Sequence, residues 1–174
     1  MLFTIGHSNR TLEDFLALLK AHGIELLADI RTVPKSRHNP QFNREAMASS
    51  LPSAGIEYVH MPELGGLRHP RRDSINLAWR NASFRGYADY MQTPAFENAL
   101  GKLLEAAALR RTAVMCAEAL PWRCHRSLVA DAVTARGVPV GHILTAAPAG
   151  LHKMTPFASV DGSTVTYPGI LPTD

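Results

Sequence analysis

The chain predicts an α/β fold. We expect a single domain over residues 1–174, with a mainly parallel sheet flanked by helices on both faces and a β-hairpin at the C-terminal end. Three observations carry this. Short apolar runs alternate with segments of helical periodicity: residues 2–5 before 12–19, residues 24–30 before 44–47, and residues 112–115 before 128–133. The connections are long enough for crossover helices, which parallel strands require and which must pack back on the sheet. With 46% hydrophobic and 19% charged residues in 174, the chain has enough apolar mass for one core, and no linker or repeat divides it.

Taken in order, Leu2-Phe3-Thr4-Ile5 reads as a buried strand running into Gly6-His7-Ser8-Asn9-Arg10. Thr11 caps a helix with Asp14 three positions on; Leu12, Phe15, Leu16 and Leu19 form its apolar face, and Gly23 ends it. Residues 24–30 give a second strand, followed by a polar loop from Arg31 to Pro40. Asn43 can cap a helix through Met47 that fades near Pro52 and Gly55, and Ile56-Glu57-Tyr58-Val59-His60 alternates as a third strand. From Pro62 to Ser83 the periodicity is lost, predicting a long surface loop with one helical turn near Trp79. A helix around Phe84, Tyr87, Ala88 and Met91 precedes a second one opened by Thr93-Pro94, whose buried face is Phe96, Leu100, Leu103, Leu104 and Ala107. Another strand and helix follow, joined by the stretch from Cys116 to Arg126, and residues 138–144 give a last strand whose start Pro139 weakens. In the tail, Asp161-Gly162 between apolar alternating runs signals a hairpin.

In parallel sheets ligands bind at the carboxyl ends of the strands. The loops at that edge carry His7-Ser8-Asn9-Arg10, Asp29 and Arg31 with Ser36 and Arg37, Gly65-Gly66, and the turn from Cys116 to Arg126. The opposite edge receives helix stops and ordinary surface: Gly23, Gly55, Arg110-Arg111 and Gly137. A single cleft is the expectation.

The densest chemistry is Cys116, Glu118, Cys124, His125 and Arg126, within eleven positions that hold both cysteines of the chain. A thiol becomes nucleophilic where cations and a helix N-terminus stabilise its thiolate. If Pro121 is the first helical residue, Cys124 lies in the first turn between Arg123 and Arg126 and is the better-activated thiol, while Cys116 at a strand exit can also face the cleft. Glu118 and His125 are candidate acid and base groups, Asp29 can orient the histidine or hold Arg31, and Arg10, Arg31, Arg37 and Arg126 are candidate anion contacts. The plain alternative is that the cysteines are core residues, Glu118 pairs with Arg126 and His125 packs. A disulfide or a shared zinc both fit the spacing of the cysteines, with Cys116, Glu118, Cys124 and His125 as the four donors, although this is no finger or ribbon pattern, and we expect no cofactor. A phosphatase-type Cys-x5-Arg loop is absent, since Cys116 to Arg123 is one residue too long. There is no dinucleotide or Walker glycine loop either.

Composition bounds the partners. A net charge of +3 is mild, yet basic residues crowd around His38 and His69, a field suited to anions. Two cysteines exclude a disulfide scaffold, the start Met-Leu-Phe-Thr-Ile-Gly carries no basic leader, and no run is long enough to cross a membrane, so a cytoplasmic protein without membrane association is expected.

In the order of its motifs, the chain resembles the bacterial and archaeal family known as domain of unknown function 488. The matching pieces are Thr4-Ile5-Gly6-His7-Ser8, Asp29-Ile30-Arg31 with Pro34 and Ser36, and Tyr58 with Leu64-Gly65-Gly66. To these add residues 84–91, Cys116-Ala117-Glu118 with Pro121 and Cys124-His125-Arg126, and the tail around Pro156-Phe157-Ala158 and Tyr167-Pro168. The resemblance implies an α/β fold with a recurring polar cluster and no particular reaction. The leading expectation is an enzyme of small anionic, phosphate-bearing, nucleotide-like substrates that uses a cleft cysteine. The alternatives are a nucleic-acid-binding module whose loops at residues 35–44 and 68–72 track phosphates, with Trp79 or Trp122 stacking on bases, and a thiol- or metal-responsive regulator.

Overall fold

A computed structural model describes residues 1–169. Its elements are β1 (Leu2–Gly6), α1 (Leu12–Ala21), β2 (Leu26–Asp29), α2 (Arg44–Ser53), β3 (Glu57–His60), α3 (Ala82–Met91), α4 (Pro94–Leu109), β4 (Thr112–Cys116), α5 (Arg126–Ala135), β5 (Val140–Ile143), β6 (Gly150–Leu151), β7 (Ser159–Asp161) and β8 (Thr164–Thr166). The main sheet has the order β3-β2-β4-β1-β5-β6; every pair is parallel except β5 with β6, and β7 and β8 form the separate hairpin. Fold class and hairpin are as the sequence predicts.

This order explains why the helices divide between two faces. From β1 the chain steps toward one end of the sheet, through β2 to β3, and then reverses to reach β4 and β5. Right-handed crossovers put helices for one direction on one face and helices for the other direction on the opposite face. Accordingly Phe15 and Leu19 of α1 and Met47 and Leu51 of α2 pack with Phe3, Ile5, Leu27, Ala113 and Met115. The other face gathers Leu2, Ala28 and Val114 against Tyr87 and Met91 of α3, Leu100 and Leu103 of α4, and Leu128 and Val129 of α5. Adjacent strand residues divide between the two cores, as period-two alternation requires. Edge strand β3 is only half covered.

Helix caps follow local chemistry. Thr11 accepts from the Asp14 N–H and Thr93 from the Phe96 N–H. Asn43 stands at the N-cap of α2, but its side chain accepts the Ser36 N–H at 2.7 Å and so ties the preceding loop. Near Trp79 the predicted helical turn is a tight turn only, and the helical turn of that loop is at Pro62–Leu64. Pro121 opens a short 3-10 turn, Pro121–Arg123, rather than α5. Cys124 follows in extended conformation (φ −144°, ψ 159°) and α5 starts only at Arg126, so Cys124 is not in the first helical turn. No helix among the described residues is long and apolar enough to cross a membrane.

Candidate functional site

Adjacent parallel strands whose crossovers leave for opposite faces leave a crevice at their carboxyl ends. β4, followed by α5, lies between β1, followed by α1, and β2, followed by α2, so the crevice falls at Cys116, His7 and Arg31. A cleft of about 780 Å³ opens there. His7 and Ser8 line it from β1, Arg31 and Ser36 from the loop after β2, Gly66 from the loop after β3, and Cys116, Glu118, Cys124 and His125 from the turn after β4.

Both thiols are free, and their sulfurs stand 2.7 Å apart with Cys124 donating to Cys116. Behind them Arg126 is completely buried. Its Nη2 donates to the carbonyls of Glu118 and Ala119 at 3.1 and 3.0 Å, while Nε and Nη1 have no hydrogen-bond partner among the described residues. The Cys124 S–H and this guanidinium together hold the Cys116 thiol below its ordinary value despite burial. Burial pushes Cys124 up instead, and donating its proton to Cys116 adds to that. The Arg126 N–H at the start of α5 points at the Cys124 sulfur, 3.3 Å away.

His125 is held in one tautomer. Its Nε2–H donates to the Ile30 carbonyl at 2.9 Å, which leaves Nδ1 bare, 3.7 Å from Cys124 Sγ. Burial, with Arg126 and Arg68 adding to it, lowers its pKa to about 4, so the ring is neutral at physiological pH. Two glycines make the opposing wall. A Cβ on Gly65 would collide with Thr32, and one on Gly66 would come within 3.1 Å of His125 Nδ1. Gly66 thus keeps the bare nitrogen open to the cleft. Tyr87 fastens this loop through its hydroxyl, which donates to the Leu64 carbonyl at 2.8 Å.

The second buried cation, Arg31, is fully engaged. Nε and Nη2 form a fork with the Asp29 carboxylate at 2.9 and 2.7 Å, Nη2 also donates to the Phe42 carbonyl, and Nη1 donates to His7 Nε2 at 3.2 Å. Asp29 further accepts from the Tyr58 hydroxyl at 2.6 Å, which with burial drives that phenol well above its usual range. His7 donates Nδ1–H to the Ser8 carbonyl and is held below its ordinary pKa, chiefly by burial. Asp29 therefore holds Arg31 rather than orienting His125.

Other expectations are redrawn. Arg10 is spent on the Leu144 and Gly6 carbonyls, and Asn9 and Arg37 are exposed away from the cleft lining. Gly65, Asp29 and Arg126 support the wall from behind instead of lining it. Arg126 bonds the Glu118 carbonyl, and the Glu118 carboxylate is exposed, so the two side chains do not pair. Among the described residues no three His, Cys, Asp or Glu side chains converge as a metal-ligand set. Trp79 is enclosed by Phe84, Phe157 and Tyr167, whereas Trp122 is exposed. The sequence reading left Lys35, Arg123, Phe84, Tyr87, Val33 and Leu67 out of the site; all line the cleft. Lys35 and Arg123 lie on loops already singled out, but nothing in the sequence brings α3 to the cleft.

The wall is built so firmly at one point that glycine is required. A Cβ on Gly6 would overlap the Glu118 carbonyl oxygen, so the end of β1 and the cysteine turn touch main chain to main chain.

No curated protein and no solved structure matches the chain. The family model described as domain of unknown function DUF488 matches residues 11–133, a span holding Asp29, Arg31, Gly65, Gly66 and the whole cysteine turn but not the strand before His7 or the tail. The chain belongs to the DUF488 family.

Proposed function

We propose that the protein is an enzyme of covalent, cysteine-dependent transfer or hydrolysis acting on small anionic, phosphate-bearing, nucleotide-like substrates. The observation that carries this is Cys116 in the cleft lining, backed by a buried guanidinium with no carboxylate partner among the described residues. A cation so placed stabilises a thiolate in the resting site and any negative charge that develops beside it. Cys116 is the nucleophile: its sulfur bonds the electrophilic centre as the leaving group departs, and water later displaces the sulfur. Glu118, exposed at the rim, exchanges protons with the leaving group and the attacking water. His125 stays neutral, its Nδ1 available to the Cys124 proton.

The rest of the cleft fits the substrate class. Lys35 and Arg123 are cations on its lining beside the Asp29-paired Arg31, and Val33, Leu67, Phe84 and Tyr87 offer an apolar wall to a flat ring. Alkylation with iodoacetamide across pH, mapped by mass spectrometry, tests the reading. The expected result is modification of Cys116 with a midpoint below the usual thiol value of about 8.5, slowed by nucleoside monophosphates. Ordinary titration of both thiols with no protection by such anions overturns it.

A further inference from the structure

The catalytic reading uses only Cys116 directly, leaving unexplained a second thiol 2.7 Å from it. We propose that Cys116 and Cys124 form a reversible dithiol–disulfide couple in which Cys116 is oxidised first by a hydroperoxide and Cys124 resolves the product.

Several features of the geometry carry this. Both cysteines are in the cleft lining, where a small oxidant can approach them. Cys124 is extended between the 3-10 turn and α5, and this conformation folds its side chain back over the end of β4. The sulfurs need move only a fraction of an ångström to bond, since a disulfide is about 2.05 Å long. Opposite them, His125 Nδ1 is a bare base 3.7 Å from Cys124 Sγ.

The steps balance. The Cys116 thiolate attacks one peroxide oxygen, forming S–O as O–O breaks; sulfur is oxidised, the peroxide is reduced, and the departing oxygen leaves as an alcohol or water after taking a proton. Cys124 then attacks the sulfenic sulfur, S–S forms, S–O breaks, and the departing hydroxide leaves as water with the Cys124 proton, relayed through His125 Nδ1. Overall a dithiol and a hydroperoxide give a disulfide, an alcohol or water, and water.

Arg126 sets the character of the couple. Reduced, the site offers this buried cation a thiolate; oxidised, it offers none. Stabilising the reduced form makes a disulfide easier to reduce, so this bond is a switch that small thiols reset rather than a permanent staple. Oxidation also removes the nucleophile assigned to Cys116, so as regulation the proposal rests on the catalytic reading. The couple itself does not.

The experiment therefore uses no substrate. Purified reduced protein is treated with stoichiometric hydrogen peroxide and followed by intact mass and peptide mapping. The expected result is loss of both alkylatable thiols into an intramolecular Cys116–Cys124 disulfide, reversed by glutathione. Cys124→Ser should stop at a Cys116 sulfenic acid trapped by dimedone, and Arg126→Met should slow oxidation by about tenfold while circular dichroism reports a folded chain. Thiols that survive peroxide until the protein unfolds, dimedone labelling of Cys124 in place of Cys116, or an intermolecular disulfide would each overturn the proposal. Disulfide formation alongside ordinary alkylation titration would sink the catalytic reading and leave the couple standing.

Discussion

Two arginines are buried at the same edge of the sheet, and they differ in every partner. Arg31 has a carboxylate fork, a carbonyl and a histidine; Arg126 has two carbonyls on one nitrogen, and two nitrogens with no partner among the described residues. A buried charge is expensive unless it is neutralised and hydrogen-bonded. Arg31 meets that condition within the fold and serves as rigid wall. Arg126 has no carboxylate counter-ion among the described residues and instead lowers the pKa of the neighbouring Cys116 thiol, which links the fold to the reactivity of Cys116.

The sharpest break in this comparison is Asp29→Ala, which strips Arg31 of its counter-ion and Tyr58 of its acceptor. Urea unfolding should show a loss of about 3–5 kcal/mol, the usual result of orphaning one partner of a buried pair. A loss within the error of the measurement would mean that Arg31 is as unpartnered as Arg126.

Acid probes both cations through their histidines. His7 lies beside Arg31 and His125 beside Arg126, each with its pKa lowered by burial, His125 from 6.5 to about 4. On β5, His142 is lowered to about 4 as well, by burial, His152 and Arg126. The unfolded chain binds these protons first, so this stability is fully present above pH of about 6.5 and is lost as pH falls toward about 4. His125 alone accounts for on the order of 3 kcal/mol of that loss. Melting temperatures that stay flat between these limits would show that the rings accept protons in the folded state.

The smallest effect on stability is expected at Arg126→Met. Removing a buried cation that has no carboxylate partner among the described residues should change unfolding free energy by less than about 1 kcal/mol, yet raise the alkylation midpoint of Cys116. A large destabilisation with an unchanged midpoint would make Arg126 a structural residue like Arg31.

Much of this was readable in the sequence for definite reasons. The β/α alternation, the Thr11 and Thr93 caps and the convergence of polar loops on one edge follow from periodicity and crossover geometry. The start of α5 was not readable, because Pro at a first turn opens a 3-10 turn as readily as a helix, and this moved Cys124 out of the helix. The ranking of the thiols was lost with it. Arg10 and Arg126 are the same residue type, each at the far end of a strand-to-helix loop. Only the strand order, with β4 between β2 and β1, decides that one is tied to Leu144 at the surface and the other enclosed behind the sulfurs. The contribution of α3 depends on the same reversal, which places Phe84 and Tyr87 over the cleft.

The contact between Gly6 and the Glu118 carbonyl acts as a fixed stop. With backbone resting on backbone, the turn that carries Cys116 has no slack to rise or sink. A guest in the cleft meets this fixed turn together with Val33 and Leu67, which line the same cleft and are 63% and 79% exposed. The sulfur is the stationary jaw of the cleft.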